Sequence, residues 1–296
     1  MAEKNEHYGR SRASASSEPH TPHATKYAQE STASSLEAKL VQIDPWRNLK
    51  SFTRARIALG RVGSSLPTKE VLDFGLSHAM ARDAVHLALD VNELASQIED
   101  LDLSVLQVQS KAPDRTSYLI RPDWGRQLDE ASREQLKALT PKKSIDFMIV
   151  VGDGLSSMAV ERHVVPLIAE IQKVIPTEWM LGPVVVASQA RVALADEVAE
   201  LMHARMVVML IGERPGLSSP DSLGAYLTYQ PHAGCSDADR NCISNIRPEG
   251  LNYTAAAKKL IWLAKEAMRM QVSGVALKDE SDALQIEVKT TPELGA

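Results

Sequence analysis

The residue types from which chemistry could be built concentrate in three segments. In Gly212-Glu213-Arg214-Pro215-Gly216 a carboxylate and a guanidinium follow directly on an apolar run over 207–211. Such a pair can hydrogen-bond a polar ligand, or it can pin a loop as a plain ion pair. In Gly152-Asp153-Gly154-Leu155-Ser156-Ser157 a glycine-rich turn follows the apolar run 145–151. Ahead of a helix, such a turn offers free backbone N–H groups to an anion or polar ligand. Ser156 or Ser157 acting only as a helix N-cap is the competing reading. The turn lacks the third glycine of the dinucleotide fingerprint and the Gly-Lys-Ser/Thr of a phosphate-binding loop. It is also not the nucleophile elbow G-x-S-x-G.

The third segment, 230–253, reads as a long irregular connection holding His232, Cys235, Asp237, Asp239, Arg240, Cys242, Asn245 and Arg247. Connections of this length inside a domain are usually functional or disordered, and this composition favours function. Cys235 and Cys242 are spaced too widely for a structural zinc site and have no second pair, so no metal site is expected. No recognisable Ser, His and Asp arrangement supports a nucleophilic hydrolase. Asp123 between Arg121 and Arg126 is either a loop anchor or a contact for an anionic ligand, with the anchor favoured. Arg54, Arg56 and Arg61 suit an acidic partner or a solvated basic face. His78 and His86 are read as surface or packed histidines.

These residues need elements to position them. The runs 145–151, 184–188 and 206–211 are β-branched, apolar and bounded by turn residues, as in strands buried on both faces. A further strand is expected over 225–229. Amphipathic helices follow the glycine-rich turn (Val160, Val164, Leu167, Ile168, Ile171), span 190–204, and run from a Thr254 cap to Met270. Alternating strands and helices predict a mainly parallel sheet with helices on both sides. The loops after Val151, Ser188 and Ile211 would then share one edge, where ligands gather in open α/β sheets. Upstream, a strand over 103–109 and a second over 117–120 read as a hairpin-like unit, with a helix from Asp123 to Leu139. Asp44-Pro45 suits a helix start, a helix is expected over 49–63, and Thr68 looks like the cap of another with Val71, Leu72, Leu76 and Met80 as its stripe.

The fold class expected is therefore α/β. Residues 1–43 are expected to form a disordered tail, being rich in Ser, Ala, Thr, His and Glu and poor in large aliphatics. A short helix over 35–43 is possible within it. Residues 44–100 form a small helical N-terminal region and 101–296 a Rossmann-like domain. A net charge of -5 excludes a dedicated nucleic-acid binder. No apolar run approaches the roughly 20 residues that span a bilayer, and no secretory signal opens the chain. Two cysteines in 296 residues make no disulfide framework, which places the chain by default in a reducing cytoplasm.

Four motifs in register resemble the small (light) subunit of ethanolamine ammonia-lyase: Ile120-Arg121-Pro122-Asp123-Trp124-Gly125-Arg126, Gly152-Asp153-Gly154-Leu155-Ser156, Ile211-Gly212-Glu213-Arg214-Pro215-Gly216-Leu217 and Asp239-Arg240-Asn241-Cys242-Ile243-Ser244-Asn245-Ile246. The resemblance covers roughly residues 52–274 and leaves the N-terminal tail and the C-terminal extension outside. It implies one subunit of an adenosylcobalamin-dependent carbon–nitrogen lyase, which converts ethanolamine to acetaldehyde and ammonia by radical chemistry. A large TIM-barrel subunit would carry the substrate site, with the corrinoid between the two chains. Homolysis of the cobalt–carbon bond supplies the hard chemistry, and protein supplies binding and seclusion. No D-x-H-x-x-G motif is present, so the resemblance implies that dimethylbenzimidazole stays on cobalt and that this chain gives no metal ligand.

Carried over from the family, the cofactor-binding residues are Val192, Glu213 and Cys242, and no catalytic residue is expected here. Glu213 would accept hydrogen bonds from corrin amides or the nucleotide ribose. Val192 would offer apolar contact and a carbonyl, and Cys242 a small, soft surface. Each also has an ordinary reading: a loop ion pair, a core valine, an inert cysteine. The expected partner is the large subunit in a hetero-oligomer, in the cytoplasm, with a bacterial microcompartment as a further location. Two alternatives remain open: a stand-alone Rossmann-type nucleotide- or phosphate-binding enzyme using 152–157 as its cradle, and a structural assembly subunit docking through 54–61.

Overall fold

The computed structural model describes residues 40–139 and 143–281. The expected tail lies outside them through residue 39, as do most of the short helix expected over 35–43 and the C-terminal extension beyond 281. The chain divides into two compact units, Met1–Val71 and Leu72–Ala296. In the first, a 3-10 turn spans Arg47–Ser51, and no helix follows over 49–63 as the apolar spacing had suggested. Ala58 (φ 50°) and Gly60 (φ 74°) break that path. The chain folds back instead, and Gln42 N donates to Arg61 O at 2.8 Å. At Gly60 a Cβ would lie 2.8 Å from Gln42 O, so only glycine fits the reversal.

A helix α1 runs over Thr68–His86, followed by α2 over Val91–Glu99. Only Ala84 of α1 is buried; Val71, Leu72, Leu76 and Met80, expected to form its apolar stripe, face out. Strand β1 (Val105–Gln109) leads to α3 (Arg115–Ile120), a 3-10 turn over Trp124–Arg126, and α4 (Glu130–Ala138). This corrects the hairpin reading: 117–120 is helical because the Asp114 carboxylate accepts from Ser117 N at 2.8 Å, capping a turn that the apolar run alone does not reveal. The single helix expected from Asp123 to Leu139 is likewise broken, and Asp129 caps its second part.

The rest of the second unit follows the alternating pattern: β2 (Met148–Gly152), α5 (Ser157–Val174), β3 (Val184–Ser188), α6 (Leu194–Leu201), β4 (Met206–Gly212), β5 (Leu223–Tyr229), β6 (Arg240–Ile246) and α7 (Tyr253–Met270). The α7 cap is Asn252, not Thr254. One six-stranded sheet has the order β1-β3-β2-β4-β5-β6. Its first four strands are parallel, while β5 and β6 join antiparallel. Strand β6 crosses the segment 230–253 that sequence reading left irregular.

Period-two alternation sends Ile149, Val151, Val208 and Leu210 to one face, against α2, α5 and α7. Met148, Val150, Val207 and Met209 go to the other, against α4 and α6. A sheet covered on both faces explains why these runs are apolar at every position. Because α5 leaves β2 on one face and α6 leaves β3 on the other, the loops above these neighbouring strands diverge and open a crevice at their carboxyl ends.

Arg240, at the start of β6, reaches α6. Its Nη2 meets the Asp196 carboxylate and donates to Cys235 O at 2.9 Å; each side chain of the pair is only 2% exposed. Burial pushes the Asp196 carboxyl above its ordinary range, and the Arg240 guanidinium opposes that rise. Removing the guanidinium strands a buried charge. Arg240→Met is therefore expected to lower stability by about 3–5 kcal/mol, read as a fall in the urea midpoint at unchanged slope.

Candidate functional site

Asp153 stands first above β2, at the mouth of the crevice, and is the most tightly held group there. Its Oδ1 accepts from Ala190 N at 2.8 Å and its Oδ2 from Gln189 N at 3.0 Å, so the loop after β2 is tied to the loop after β3. Oδ2 also accepts from Arg115 Nη1 at 3.1 Å, which brings in α3. Burial pushes this carboxyl upward, and Arg115 with the backbone N–H groups of Ala190, Gln189 and Gly154 pulls against it.

Tyr118 fills the space beneath these loops. It is fully buried and its hydroxyl donates to Ala190 O at 3.0 Å. Burial, with Asp153's charge behind it, raises the phenol far above its ordinary value, so it stays neutral. The Arg115 and Arg191 guanidinium carbons lie 4.7 Å and 4.2 Å from the ring centroid. Such stacking positions a cation at little entropic cost. At Gly125 a Cβ would lie 2.9 Å from both Tyr118 and the Arg191 stem, which is why a glycine occupies the motif at this point.

The glycine-rich turn is not an open cradle. Leu155 N donates to Gly212 O at 3.0 Å, and Ser156 Oγ accepts from Ala159 N at 3.2 Å while donating to Pro220 O at 2.8 Å. Ser156 is thus the N-cap of α5, and the β4–β5 loop covers that helix end. A Cβ at Gly154 would run into Gly212 O, and one at Gly212 into Ser156 O, so neither position has room for a side chain.

Glu213 opens the β4–β5 loop. Its N–H donates to Ser222 O at 2.9 Å, its Oε2 accepts from the Ser222 hydroxyl, and the same oxygen accepts from Asn245 N at 3.2 Å. Asn245 sits where the β5–β6 register shifts between Leu223 and Ala225, and has φ 58°. A bulge leaves a backbone amide without its ladder partner, and Glu213 accepts it. The other oxygen, Oε1, takes no hydrogen bond from the described residues and is the group left for a ligand.

A shallow cavity of about 160 Å³ is lined by Tyr118, Leu155, Arg191, Val192, Glu213 and Tyr226, among others. Of the three residues named from sequence, Val192 and Glu213 line it directly. Val192 is half-buried and packs against the α4–α6 side of the core. Cys242 lies beside it rather than in it: exposed on β6 and paired in register with Tyr226, whose hydroxyl its thiol meets. Local desolvation raises the thiol and the phenol, and Glu213's charge adds to the rise in each, so both are neutral near pH 7. Arg121 pairs with Asp123 at 2.7 Å on the surface, the anchor reading. Among the described residues no group of three or more His, Cys, Asp or Glu is placed to hold a metal.

Sequence reading missed Arg115, Tyr118, Arg191 and Tyr226. The available signal was the flank of the conspicuous motifs: Arg191 adjoins Val192, and Tyr226 is one ladder step from Cys242. Asp153→Asn replaces one of two accepting oxygens by a donor and leaves Arg115 without its counter-charge. It is expected to cost about 2–4 kcal/mol of stability, measured by urea denaturation, while Asp123→Asn on the surface leaves the urea midpoint where it is in the parent.

A model of the ethanolamine ammonia-lyase light chain matches residues 43–278. Among similar proteins, the ethanolamine ammonia-lyase small subunit of Pseudomonas putida (strain W619) is 53% identical over 251 residues, covering 84% of this chain and 92% of that protein. The corresponding subunits of Pseudomonas syringae pv. tomato and Pseudomonas paraeruginosa are 50% and 52% identical, over 84% and 82% of this chain and 88% and 90% of theirs.

Proposed function

The chain belongs to the ethanolamine ammonia-lyase light-chain family, and on that premise we propose that it forms one wall of an adenosylcobalamin site completed by the large subunit. Its function is that of the small subunit of this ammonia-lyase. The observation that carries the cofactor reading is the convergence at one edge of the sheet of Val192, Glu213 and, one ladder step away, Cys242. The cavity there is too small to enclose a corrin ring and suits one edge of it. The residues fit such a group. Glu213 Oε1 is free to accept from a corrin amide, Val192 and Leu155 offer apolar surface, and Arg191 Nε is buried with no partner.

Bound there, the cofactor would supply radical initiation by homolysis of its cobalt–carbon bond. This chain's residues orient the ring edge and exclude water. The neutral thiol of Cys242 is a packing surface rather than a thiolate ligand. A partner subunit is supported by α1, which exposes Leu72, Phe74, Leu76 and Met80. An apolar surface of this kind is ordinarily covered in an assembly. The sheet with its four parallel strands and covered faces is in keeping with a Rossmann-like arrangement. Among the described residues no helix is long and apolar enough to cross a membrane, and a cytoplasmic location with packaging in a bacterial microcompartment is the reading that the resemblance suggests. The closed turn at 152–157 speaks against the stand-alone phosphate-binding enzyme.

The test is gel filtration of this chain, alone and mixed with the ethanolamine ammonia-lyase large subunit, with adenosylcobalamin followed by its visible spectrum. The mixture is expected to co-elute with corrinoid and to release acetaldehyde and ammonia from ethanolamine. Failure of the mixture to retain corrinoid overturns the reading. Glu213→Ala in the complex is expected to weaken corrinoid binding about 10-fold, the scale of one hydrogen bond to a charged group.

A further inference from the structure

Arg191 is the cation in the cavity that the fold itself does not use up. Its neighbour in the stack, Arg115, has a carboxylate partner and is not among the cavity-lining residues: Nε donates to Val85 O at 2.7 Å and Nη1 meets Asp153 at 3.1 Å, which leaves its buried Nη2 without an acceptor. Arg191 has no carboxylate partner among the described residues. Its contacts are a long hydrogen bond from Nη2 to Tyr118 O at 3.5 Å and the Tyr118 ring face, and its buried Nε has no acceptor. Glu213 lines the same cavity with its Oε2 held by Ser222 and the Asn245 amide, and among the described residues it forms no ion pair with Arg191. Arg214, also in the cavity lining, is exposed and adds a second positive charge.

A half-buried guanidinium with an unsatisfied N–H is costly unless an acceptor arrives. Its planar fork matches a phosphate geometrically, and stacking on Tyr118 holds it in place before any ligand binds. The backbone is fixed too, since Arg191 N donates to Gly125 O at 2.7 Å. On the corrinoid reading above, which this inference rests on, the ligand carries amides around its ring and one formal anion, the phosphodiester of its nucleotide loop. We propose that Arg191 receives that phosphodiester, so that this subunit selects complete cobalamins over corrinoids lacking the nucleotide loop.

The test compares adenosylcobalamin with adenosylcobinamide, which lacks the nucleotide loop and its phosphodiester, on the assembled two-subunit complex. Affinities are read from visible spectra, with assembly checked by gel filtration without corrinoid. Arg191→Gln is expected to weaken adenosylcobalamin about 10- to 100-fold and to leave adenosylcobinamide within about twofold, as a lost charge-assisted hydrogen bond requires. The cobalamin affinity of the parent should also fall with added salt more steeply than that of R191Q. Arg191→Lys keeps the charge without the fork; it should lose less than R191Q on cobalamin and nothing on cobinamide, and it carries the test should R191Q fail to assemble.

Equal weakening of both corrinoids by either variant overturns the assignment while leaving the corrinoid site standing. So does a loss of assembly by both variants without corrinoid, which would show that Arg191 pairs with the large subunit. A parent complex that retains neither corrinoid overturns the corrinoid reading, and this inference with it.

Discussion

The Asp153 carboxylate is the constraint on which the cavity depends. It sits where parallel strands β2 and β3 send their helices to opposite faces, the point at which the chain would otherwise splay apart. Two backbone amides from beyond β3 and one guanidinium from α3 converge on its oxygens. The group is almost wholly buried, and its raised protonation tendency records what that burial costs. Arg115 and the amides offset it. This carboxyl holds three segments in register, and the same Arg115 is one of the two guanidiniums stacked on Tyr118. The position of Arg191 and Val192 follows from it, since both come directly after the two residues whose amides Asp153 accepts.

The second support comes from the antiparallel side of the sheet. Turning β5 back along β4 brings Gly224 against Glu213, where a Cβ would lie 3.1 Å from Oε1. The bulge between β5 and β6 then presents Asn245 N to Glu213 Oε2. One carboxylate oxygen is consumed in holding the loop and the other is left outward. This resolves a choice that the motif Gly-Glu-Arg-Pro-Gly leaves open, because Glu213 is not paired with the adjacent Arg214. Its structural partners are a hydroxyl and an amide, and its charge stays available to whatever meets the cavity.

The buried strands were legible because burial on both faces leaves an unmistakable record. The run 184–188 is apolar up to its terminal serine, and its limits in sequence and structure coincide. The glycine-rich turn was legible as a strand-to-helix junction, yet its chemistry was not: whether its amides are free depends on Gly212 and Pro220, which are distant in sequence. Strand β6 was hidden for a different reason. Its burial pattern leaves Asn241, Cys242, Ser244 and Asn245 at least partly open, so an edge strand reads as polar loop. The helix over Arg115–Ile120 was hidden because six residues are too few to show a period. Its one fully buried side chain, Tyr118, is of a type enriched in strands, which favours the β reading.

The engagement of these side chains bears on where the chemistry resides. The acidic groups at this edge are already employed: Asp153 binds Arg115 and two amides, and Glu213 braces the β4–β5 loop. Tyr118 is neutral and donates to a carbonyl, while Tyr226 and Cys242 are held in their neutral forms beside one another. The two phenols and the thiol, held neutral in this way, suit fixed recognition better than proton transfer, which calls for a group poised near the working pH. What the edge presents outward is one carboxylate oxygen, a stacked guanidinium and apolar surface. That combination is suited to a large ligand rich in amides, as proposed above. On the proposed corrinoid reading, a small subunit with such a wall would leave substrate chemistry to the chain across the interface.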